Sequence, residues 1–203
     1  KVNYSYDDIG RIKTFSDTAG RITNYNYLDA ERKNEIINAE NEKTTIEYNQ
    51  RFQTIKITDA NNQVYDFTHD PLGRMLSQTR VGATQSYEYD EVGNQTKRTD
   101  YLGRVTEYVY DNLNRLEQTK YFSDSVVSYQ STYSYDDISR LKTAVNEAGT
   151  VSFNYDNRNR ITSSTDVHGQ TVGYEYIYDA TINKQNLKLN GNLHTVYNFD
   201  DAN

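Results

Sequence analysis

The sequence predicts an all-β protein in which repeated antiparallel hairpins form one long curled sheet. Three observations predict this fold. A nine-residue pattern returns from one end of the chain to the other, turn-forming residues recur at short intervals, and apolar residues alternate with polar ones at period two. The clearest copy of the pattern is YVYDNLNRL at 108–116. The turns follow one another too closely for helices of ordinary length, so strands are favoured throughout.

The pattern reads aromatic, any residue, aromatic, Asp, two residues, Gly or Asn, Arg, aliphatic. Near copies occupy 4–12, 67–75, 87–95, 133–141 and 153–161, and weaker copies begin at Tyr25, Ile46, Tyr176 and Tyr197. The Asp position, which we call the register mark, falls at Asp7, Leu28, Asn49, Asp70, Asp90, Asp111, Asp136, Asp156, Asp179 and Asp200. Successive marks are 21, 21, 21, 20, 21, 25, 20, 23 and 21 residues apart. So steady a period predicts an array of stacked supersecondary units.

Each unit is predicted to begin with a strand that ends at the register mark. Its aromatics lie two residues apart, as Tyr4 and Tyr6 do, which places both rings on one face of the strand. The four residues from the mark favour a type I turn, and Pro71 occupies the second turn position, where its fixed φ fits. Asn replaces Gly in the fourth position of some turns, where a positive φ would close the hairpin through a G1 bulge. The Asn residues concerned are Asn114, Asn159 and Asn203.

A second turn is predicted about ten residues after each mark, so that each unit holds two strands and two turns. These turns are at 17–20, 59–62, 100–103, 146–149 and 166–169. The result is a meander of about twenty strands. The polar stretch 29–41 is predicted to form a hairpin, and the extra residues at 121–130 to form a lengthened turn or bulge. At roughly 4.8 Å per strand the sheet would be about 95 Å wide, and so wide a sheet is expected to curl.

These repeats resemble the YD-repeat, or RHS-repeat, family, whose hallmark is a Tyr-Asp-x-x-Gly-Arg-Leu/Ile unit. The resemblance extends over essentially all 203 residues, which are therefore expected to form a single domain, 1–203, of about ten repeats within a longer array. The repeat-defining structural residues are Tyr6, Asp7, Gly10, Arg11, Asp70, Gly73, Arg74, Tyr89, Asp90, Gly93, Tyr110, Asp111, Arg115, Tyr135, Asp136, Arg140, Tyr155, Asp156 and Arg160.

The resemblance implies a non-catalytic segment of a hollow β-shell, as in bacterial polymorphic toxins and insecticidal toxin complexes. It implies a secreted or cell-surface protein that serves as a toxin-delivery or toxin-encapsulating scaffold. The expected partners are further repeats or neighbouring copies at the sheet edges, near 2–6 and 195–199, and an enclosed toxin domain or a cell-surface glycan. Open edge strands recruit further strands, which is why we expect these edges to be covered.

The composition narrows the other possibilities. The net charge of −7 argues against a nucleic-acid partner, which would require basic patches, and no apolar run is long enough to span a membrane. Without cysteine the chain has neither disulfides nor thiolate metal sites. His69, His168 and His194 are not at metal-ligand spacing, and no nucleophile, phosphate-loop or dinucleotide motif occurs. We therefore expect no enzyme activity, no cofactor and no metal.

Alternative roles exist for the three recurring residue types. The turn Asp residues could bind calcium, although turn formation explains their positions better. The recurring Arg residues could bind anions, but each is expected to lie across a Tyr ring of the adjoining strand and to pair with a turn Asp. They are Arg11, Arg32, Arg74, Arg115, Arg140 and Arg160. Tyr108, Tyr110, Tyr133 and Tyr135 could form a carbohydrate-binding surface in an adhesion module, against a purely structural role in cross-strand packing.

Overall fold

The computed structural model describes residues 1–123, 125–178 and 183–199, and these residues form strands and tight turns almost throughout. The strands are β1 Asn3–Tyr6, β2 Ile12–Ser16, β3 Ile22–Leu28, β4 Lys33–Ile37, β5 Lys43–Tyr48, β6 Thr54–Thr58, β7 Val64–His69, β8 Met75–Arg80, β9 Ala83–Tyr89, β10 Gln95–Thr99, β11 Val105–Tyr110, β12 Leu116–Ser123, β13 Val126–Tyr135, β14 Leu141–Asn146, β15 Gly149–Tyr155, β16 Ile161–Thr165, β17 Thr171–Tyr178, β18 Asn183–Leu189 and β19 Asn192–Phe199. The predicted all-β class is confirmed.

The chain divides into two compact units. The first comprises Lys1–Asp90 with Lys97–Arg104, and the second comprises Glu91–Thr96 with the described residues from Val105 onward, so β10 contributes to both. In the first unit, β1 to β8 each pair antiparallel with the next strand in sequence. In the second, β11 to β18 do the same. Each unit is thus a meander of short hairpins, as the turn spacing predicts.

The turns at the register marks have the predicted geometry. In the first, the Gly10 amide donates to the Asp7 carbonyl at 3.0 Å, and Gly10 has a φ of +84°. The strand register shifts by one residue beside this turn, between Ser5 and Tyr6, which is the expected bulge. The same closing hydrogen bond forms in the turns that begin at Asp70, Asp111, Asp136 and Asp156. The marks Asp179 and Asp200 and the turn residue Asn203 lie outside the described residues.

The second set of turns is confirmed at 17–20, 59–62, 100–103 and 166–169, where the same hydrogen bond forms. The turn at 146–149 is also confirmed. Its first and fourth residues, Asn146 and Gly149, are cross-strand partners, so two residues connect β14 and β15. Gly149 has a φ of +135° and is the first residue of β15.

Two predictions need correction. In the stretch 29–41, residues 33–41 belong to the predicted hairpin, but Asp29–Glu31 form a short 3-10 turn that ends at Arg32, whose φ is +51°. The extra residues at 121–130 do not lengthen a turn. They extend β12 to eight residues and β13 to ten. The strand register shifts between Tyr121 and Phe122, so the bulge, which was the other predicted possibility, is present.

Polar contacts within the sheet take the place of an apolar core. Among the described residues, the buried ones are all polar, namely Thr45, Gln85, Thr119 and Ser131. Hydroxyl groups also pair across neighbouring strands at equivalent positions of different repeats. Such pairs are Ser5 with Thr14, Thr68 with Ser77 and Ser134 with Thr143, each at 2.6 Å. Cross-strand pairs of this kind are the unit of stabilisation in a sheet.

Candidate functional site

The turns of a meander lie alternately at the two ends of its strands. We call the end that carries the register marks the register end, and the other the opposite end. Both ends contain turns that begin with Asp or Asn and close with the same backbone hydrogen bond. The recurring Arg and Tyr residues of the repeat gather at the register end, which makes it the candidate functional site of each unit.

The carboxylate of each register Asp organises its own turn. In Asp7, Oδ1 accepts hydrogen bonds from the backbone amides of Ile9 at 3.1 Å and Arg11 at 2.8 Å, and Oδ2 accepts from the Arg11 Nε at 2.8 Å. Asp70, Asp111, Asp136 and Asp156 make the same three contacts in their turns. Both oxygens are therefore committed to the turn, as the turn-forming interpretation of these residues requires.

Ionisation of these carboxylates is favoured by their partners. The side-chain hydrogen bond from Arg160 lowers the pKa of Asp156 to about 2, although partial burial acts in the opposite direction. The pKa of Asp7 is also lowered, first of all by the hydrogen bond from Arg11. The turns therefore keep their charged geometry at neutral pH and lose it only in strong acid.

The register Arg residues lie across tyrosine rings of the next repeat. The Arg11 guanidinium carbon is 4.0 Å from the centre of the Tyr27 ring. The equivalent distances are 4.7 Å for Arg74 and Tyr89, 4.7 Å for Arg115 and Tyr135, 4.5 Å for Arg140 and Tyr155, and 4.0 Å for Arg160 and Tyr176. The structure thus shows both contacts expected of these Arg residues, one with a ring and one with a turn Asp. Arrangements of this kind combine cation–π attraction with charge pairing.

Each of these tyrosines also binds the preceding repeat through its hydroxyl group, a contact that the sequence analysis missed. The Tyr155 hydroxyl donates to the carbonyl of Leu141, the residue after Arg140, at 2.8 Å. The same bond joins Tyr27 to Ile12, Tyr89 to Met75, Tyr110 to Gln95, Tyr135 to Leu116 and Tyr176 to Ile161, at 2.8 to 3.0 Å. The carbonyl always follows the Arg position of the pattern, which is the signal that could have predicted it.

The Arg side chains also reach the backbone of the next register turn. Arg140 donates from Nη1 to the Asp156 carbonyl at 2.9 Å and to the Asn159 side chain at 3.1 Å. Arg74 donates to the Asp90 carbonyl at 2.9 Å, and Arg115 donates to Ser139 at 3.1 Å. Asn159 and Ser139 occupy the Gly position of their turns, so each provides a hydrogen-bond acceptor for the preceding Arg that Gly would lack.

The Asp–Arg pairs, the Arg–Tyr ring contacts, the Tyr hydroxyl bonds and the Arg contacts with the next turn together form what we call the register ladder.

The register ladder has gaps. Arg32 follows the 3-10 turn rather than an Asp turn, and the structure gives its side chain no ring contact or ion pair, so the stacking predicted for Arg32 is wrong. At the next position Gln53 replaces Arg and His69 replaces Tyr, and the Nδ1 atom of His69 is buried without a hydrogen-bond partner. In the last described repeat, Tyr176 provides the ring that contacts Arg160, because β17 is eight residues long. The repeat pattern predicted Tyr178, the residue directly before the mark, in this role.

The four tyrosines predicted as a possible carbohydrate surface are all half-buried. Tyr110 and Tyr135 take part in the hydroxyl contacts of the register ladder, and burial raises the pKa of Tyr135. Tyr108 and Tyr133 face Thr119 and Ala144 across the sheet. Ligand binding by these tyrosines stays a prediction. The described residues contain no cluster of three or more His, Cys, Asp or Glu that could hold a metal ion.

Fold and ladder together define a structural repeat array of β-hairpins. A family model described as RHS Repeat matches residues 89–126. A protein from Dickeya dadantii (strain 3937), described as a probable deoxyribonuclease RhsB, is 29% identical over 132 residues, which are 64% of this chain and 9% of that protein. The chain thus spans about a tenth of the curated relative that it matches.

Solved structures share the fold. The crystal structure of TcdB2-TccC3-TEV has a TM-score of 0.70 at 15% identity, over 96% of this chain and 13% of that one. For TcdB2-TccC3-Cdc42 the TM-score is 0.59 at 13% identity, over 97% and 15% of the two chains. With the repeat pattern, these findings support the resemblance of the chain to the RHS/YD-repeat family. The described residues include no helix with the length and hydrophobicity of a membrane span.

Proposed function

We propose that this chain is a non-catalytic structural segment of the β-shell of a secreted or surface-displayed protein, serving as a scaffold for toxin delivery or toxin encapsulation. The observation that supports a structural role is the register ladder. The side chains that define the repeat are used to join one hairpin to the next, through Asp–Arg pairs, Arg–Tyr contacts and Tyr hydroxyl bonds. Where the ladder is present, it therefore joins successive turns to one another, which is a property that a wall requires.

A role in toxin delivery is supported by the proteins that this chain is similar to. One relative is described as a probable deoxyribonuclease, and this chain matches only a small part of it. A wall segment can occur beside a catalytic domain without contributing to catalysis. We propose that further repeats, or neighbouring copies, cover the sheet edges at β1 and β19, and that an enclosed toxin domain is the functional partner. At the first of these edges Tyr4 and Tyr6 are 50% and 59% exposed.

The mass and location of the natural polypeptide test this proposal. An antibody raised against residues 1–123 would be used on denatured cell, envelope and secreted fractions. The proposal predicts a band far above the 23.6 kDa of this chain, in the envelope or the medium. A band at 23.6 kDa confined to the cell interior would contradict it.

Protection of a second domain provides a separate test. Limited proteolysis of the purified natural polypeptide should leave the repeats and any associated toxin domain intact at protease concentrations that digest the isolated toxin domain. Equal digestion of the free and associated toxin domains would contradict encapsulation, while leaving the structural role of the repeats in place.

A further inference from the structure

The lengthened hairpin of the second unit brings two tyrosines into contact. Tyr121 of β12 and Tyr129 of β13 lie directly opposite each other across the two strands. Their ring centres are 5.4 Å apart, and the ring planes are tilted by 49°. Both residues belong to the segment that the 25-residue interval adds to these strands. The repeat pattern therefore does not explain this contact.

Neighbouring groups hold the two tyrosines in place. The Tyr129 hydroxyl accepts a hydrogen bond from the Asn146 side chain at 2.7 Å, which anchors the outer end of its ring. Ser128 is the extra residue at the register shift, and its hydroxyl donates to the Tyr121 carbonyl at 3.1 Å. Two rings at this separation are in direct contact, so a small rotation of either side chain brings their edges together.

The tyrosines of the register ladder are placed differently. An Arg guanidinium covers one face of each ring, so that face cannot receive a second ring. The tyrosines concerned are Tyr27, Tyr89, Tyr135, Tyr155 and Tyr176. A closer comparison is the pair Tyr4 and Phe15, which lie opposite each other in β1 and β2 with ring centres 5.3 Å apart and a tilt of 43°. That pair has nearly the same geometry but only one phenol.

Tyr121 is also accessible from the solvent, because it is 42% exposed. Burial of part of its ring, and then the neighbouring phenols of Tyr133 and Tyr108, raise the pKa of Tyr121, so it keeps its proton at neutral pH. Removal of one electron from a protonated phenol releases that proton, and water at the exposed side of Tyr121 can accept it. A diffusing oxidant can therefore reach one member of the pair directly.

We propose that Tyr121 and Tyr129 form a site of oxidative cross-linking, at which a haem peroxidase and hydrogen peroxide join the two rings as dityrosine. Each phenol loses one electron and its hydroxyl proton and becomes a phenoxyl radical. The two radicals form one carbon–carbon bond between ring carbons that adjoin the hydroxyl-bearing carbons. The proton on each of these two carbons then moves to the phenol oxygen, which restores both phenols. Two protons and two electrons leave the chain in total, and they reduce one hydrogen peroxide to two waters.

The cross-link joins β12 to β13 covalently. It closes a loop over residues 121–129, and closing a loop restricts the unfolded chain, as a disulfide does. A disulfide cannot provide this restraint here, because the chain contains no cysteine. The proposal extends beyond the scaffold function and does not depend on it.

Treatment of the 203-residue chain with a haem peroxidase and hydrogen peroxide tests the proposal. The product is cleaved before aspartate residues and analysed by mass spectrometry. Cleavage at Asp124 separates Tyr121 from Tyr129 in the unreacted chain, so the cross-link appears as two joined peptides that together lack two hydrogens. Fragmentation of the joined peptides identifies the linked tyrosines.

We expect a link between Tyr121 and Tyr129, accompanied by dityrosine fluorescence, in a yield that does not change when the protein is diluted. A yield that falls on dilution would show coupling between separate molecules and would overturn the proposal. Absence of the joined peptides, or a link from Tyr121 to Tyr108 or Tyr133 in their place, would overturn it as well.

Matched variants locate the site. Tyr121→Phe and Tyr129→Phe keep both rings but remove one phenol, and each should abolish the link. Tyr101→Phe, at a turn tyrosine 37% exposed, is the control and should leave the yield unchanged. Phe15→Tyr completes a pair of phenols with Tyr4 in the first unit and should create a second link within the chain. Circular dichroism verifies folding, and a link retained in Tyr121→Phe, or no new link in folded Phe15→Tyr, would overturn the claim that ring contact defines the site.

Discussion

The two ends of the strands carry nearly the same turn sequence and use it differently. At the opposite end, Asp17 pairs with Arg21 and Asp100 with Arg104, both at 2.7 Å, as the register Asp and Arg residues do. Yet Arg21 and Arg104 are 69% and 71% exposed, against 23 to 33% for the paired register arginines. The difference lies in the neighbouring strand. It places a tyrosine ring against each paired register arginine, whereas Arg21 and Arg104 have no ring contact with any described residue. A turn motif therefore determines the turn, and the tyrosine determines whether one turn is joined to the next.

The largest effect should come from removing an arginine at each end of the first unit. Arg74→Ala removes the contact with Tyr89 and the hydrogen bond to the Asp90 carbonyl as well as the pair with Asp70, and should cost about 2 kcal/mol of unfolding free energy. Arg104→Ala removes only an exposed pair and should cost about 0.5 kcal/mol or less. Urea denaturation measures both, and equal losses would mean that the two ends do not differ.

The hydroxyl contact should account for a smaller part of the ladder. Tyr155→Phe keeps the ring beside Arg140 and removes the hydrogen bond to the Leu141 carbonyl, so we expect a loss of about 1 kcal/mol in unfolding free energy. Tyr101→Phe is the matched change at the opposite end, in a tyrosine 37% exposed, and should be neutral. Hydrogen exchange at β14 and β15 would localise the effect, and unchanged exchange rates in Tyr155→Phe would argue against the contact.

Two asparagines in the fourth turn position allow the effect of backbone strain to be distinguished from the effect of the contact with the preceding repeat. Asn159 and Asn62 have φ values of +64° and +60°, so alanine is disfavoured at both. Only Asn159 accepts a hydrogen bond from the preceding Arg140. Asn159→Ala should therefore lose about 0.5 to 1 kcal/mol more than Asn62→Ala in thermal or urea unfolding. Identical losses would show that these residues serve the turn alone.

The smallest effect concerns pH. Because the pKa of Asp156 is lowered to about 2 in the folded chain, ionised Asp156 stabilises the fold above the pKa of the unfolded state. That stabilisation should be lost as the pH falls from about 4 to about 2. Asp156→Asn should therefore flatten the stability profile in this window. Asp166→Asn is the control, because Gln170 stands in the Arg position of its turn, and an equally flattened profile there would contradict the role of the Arg160 pair.

The period of the sequence was sufficient to predict the strands, most turns and the Arg–Tyr contacts, because all of these depend on local turn chemistry and on alternation along a strand. The tyrosine hydroxyl bonds were missed because their acceptor is a main-chain carbonyl, whose place is marked in the sequence only indirectly, by the Arg position that precedes it. The 3-10 turn at Asp29–Glu31 was missed because the register suggested a turn at Leu28 without an Asp to form it.

The extended strands β12 and β13 show a second limit. Extra residues in a hairpin can enlarge the loop or lengthen both strands, and the 25-residue interval between Asp111 and Asp136 is compatible with both. The structure lengthens the strands, and Tyr121 packs against Tyr129 across them with ring centres 5.4 Å apart. A longer loop would separate these two aromatic residues, so their contact favours the longer strands. This contact depends on which residues pair across the hairpin, and amino-acid composition does not reveal that pairing.

The coupling between Arg140 and Tyr155 tests the register ladder most directly. A double-mutant cycle with Arg140→Ala, Tyr155→Ala and the double variant isolates their interaction from the turn pair with Asp136 and from general loss of packing. The ladder predicts a coupling energy of about 1 kcal/mol or more in urea unfolding. Additive losses, with a coupling near zero, would contradict it, because the turns would then be neighbours in the sheet without being joined to one another.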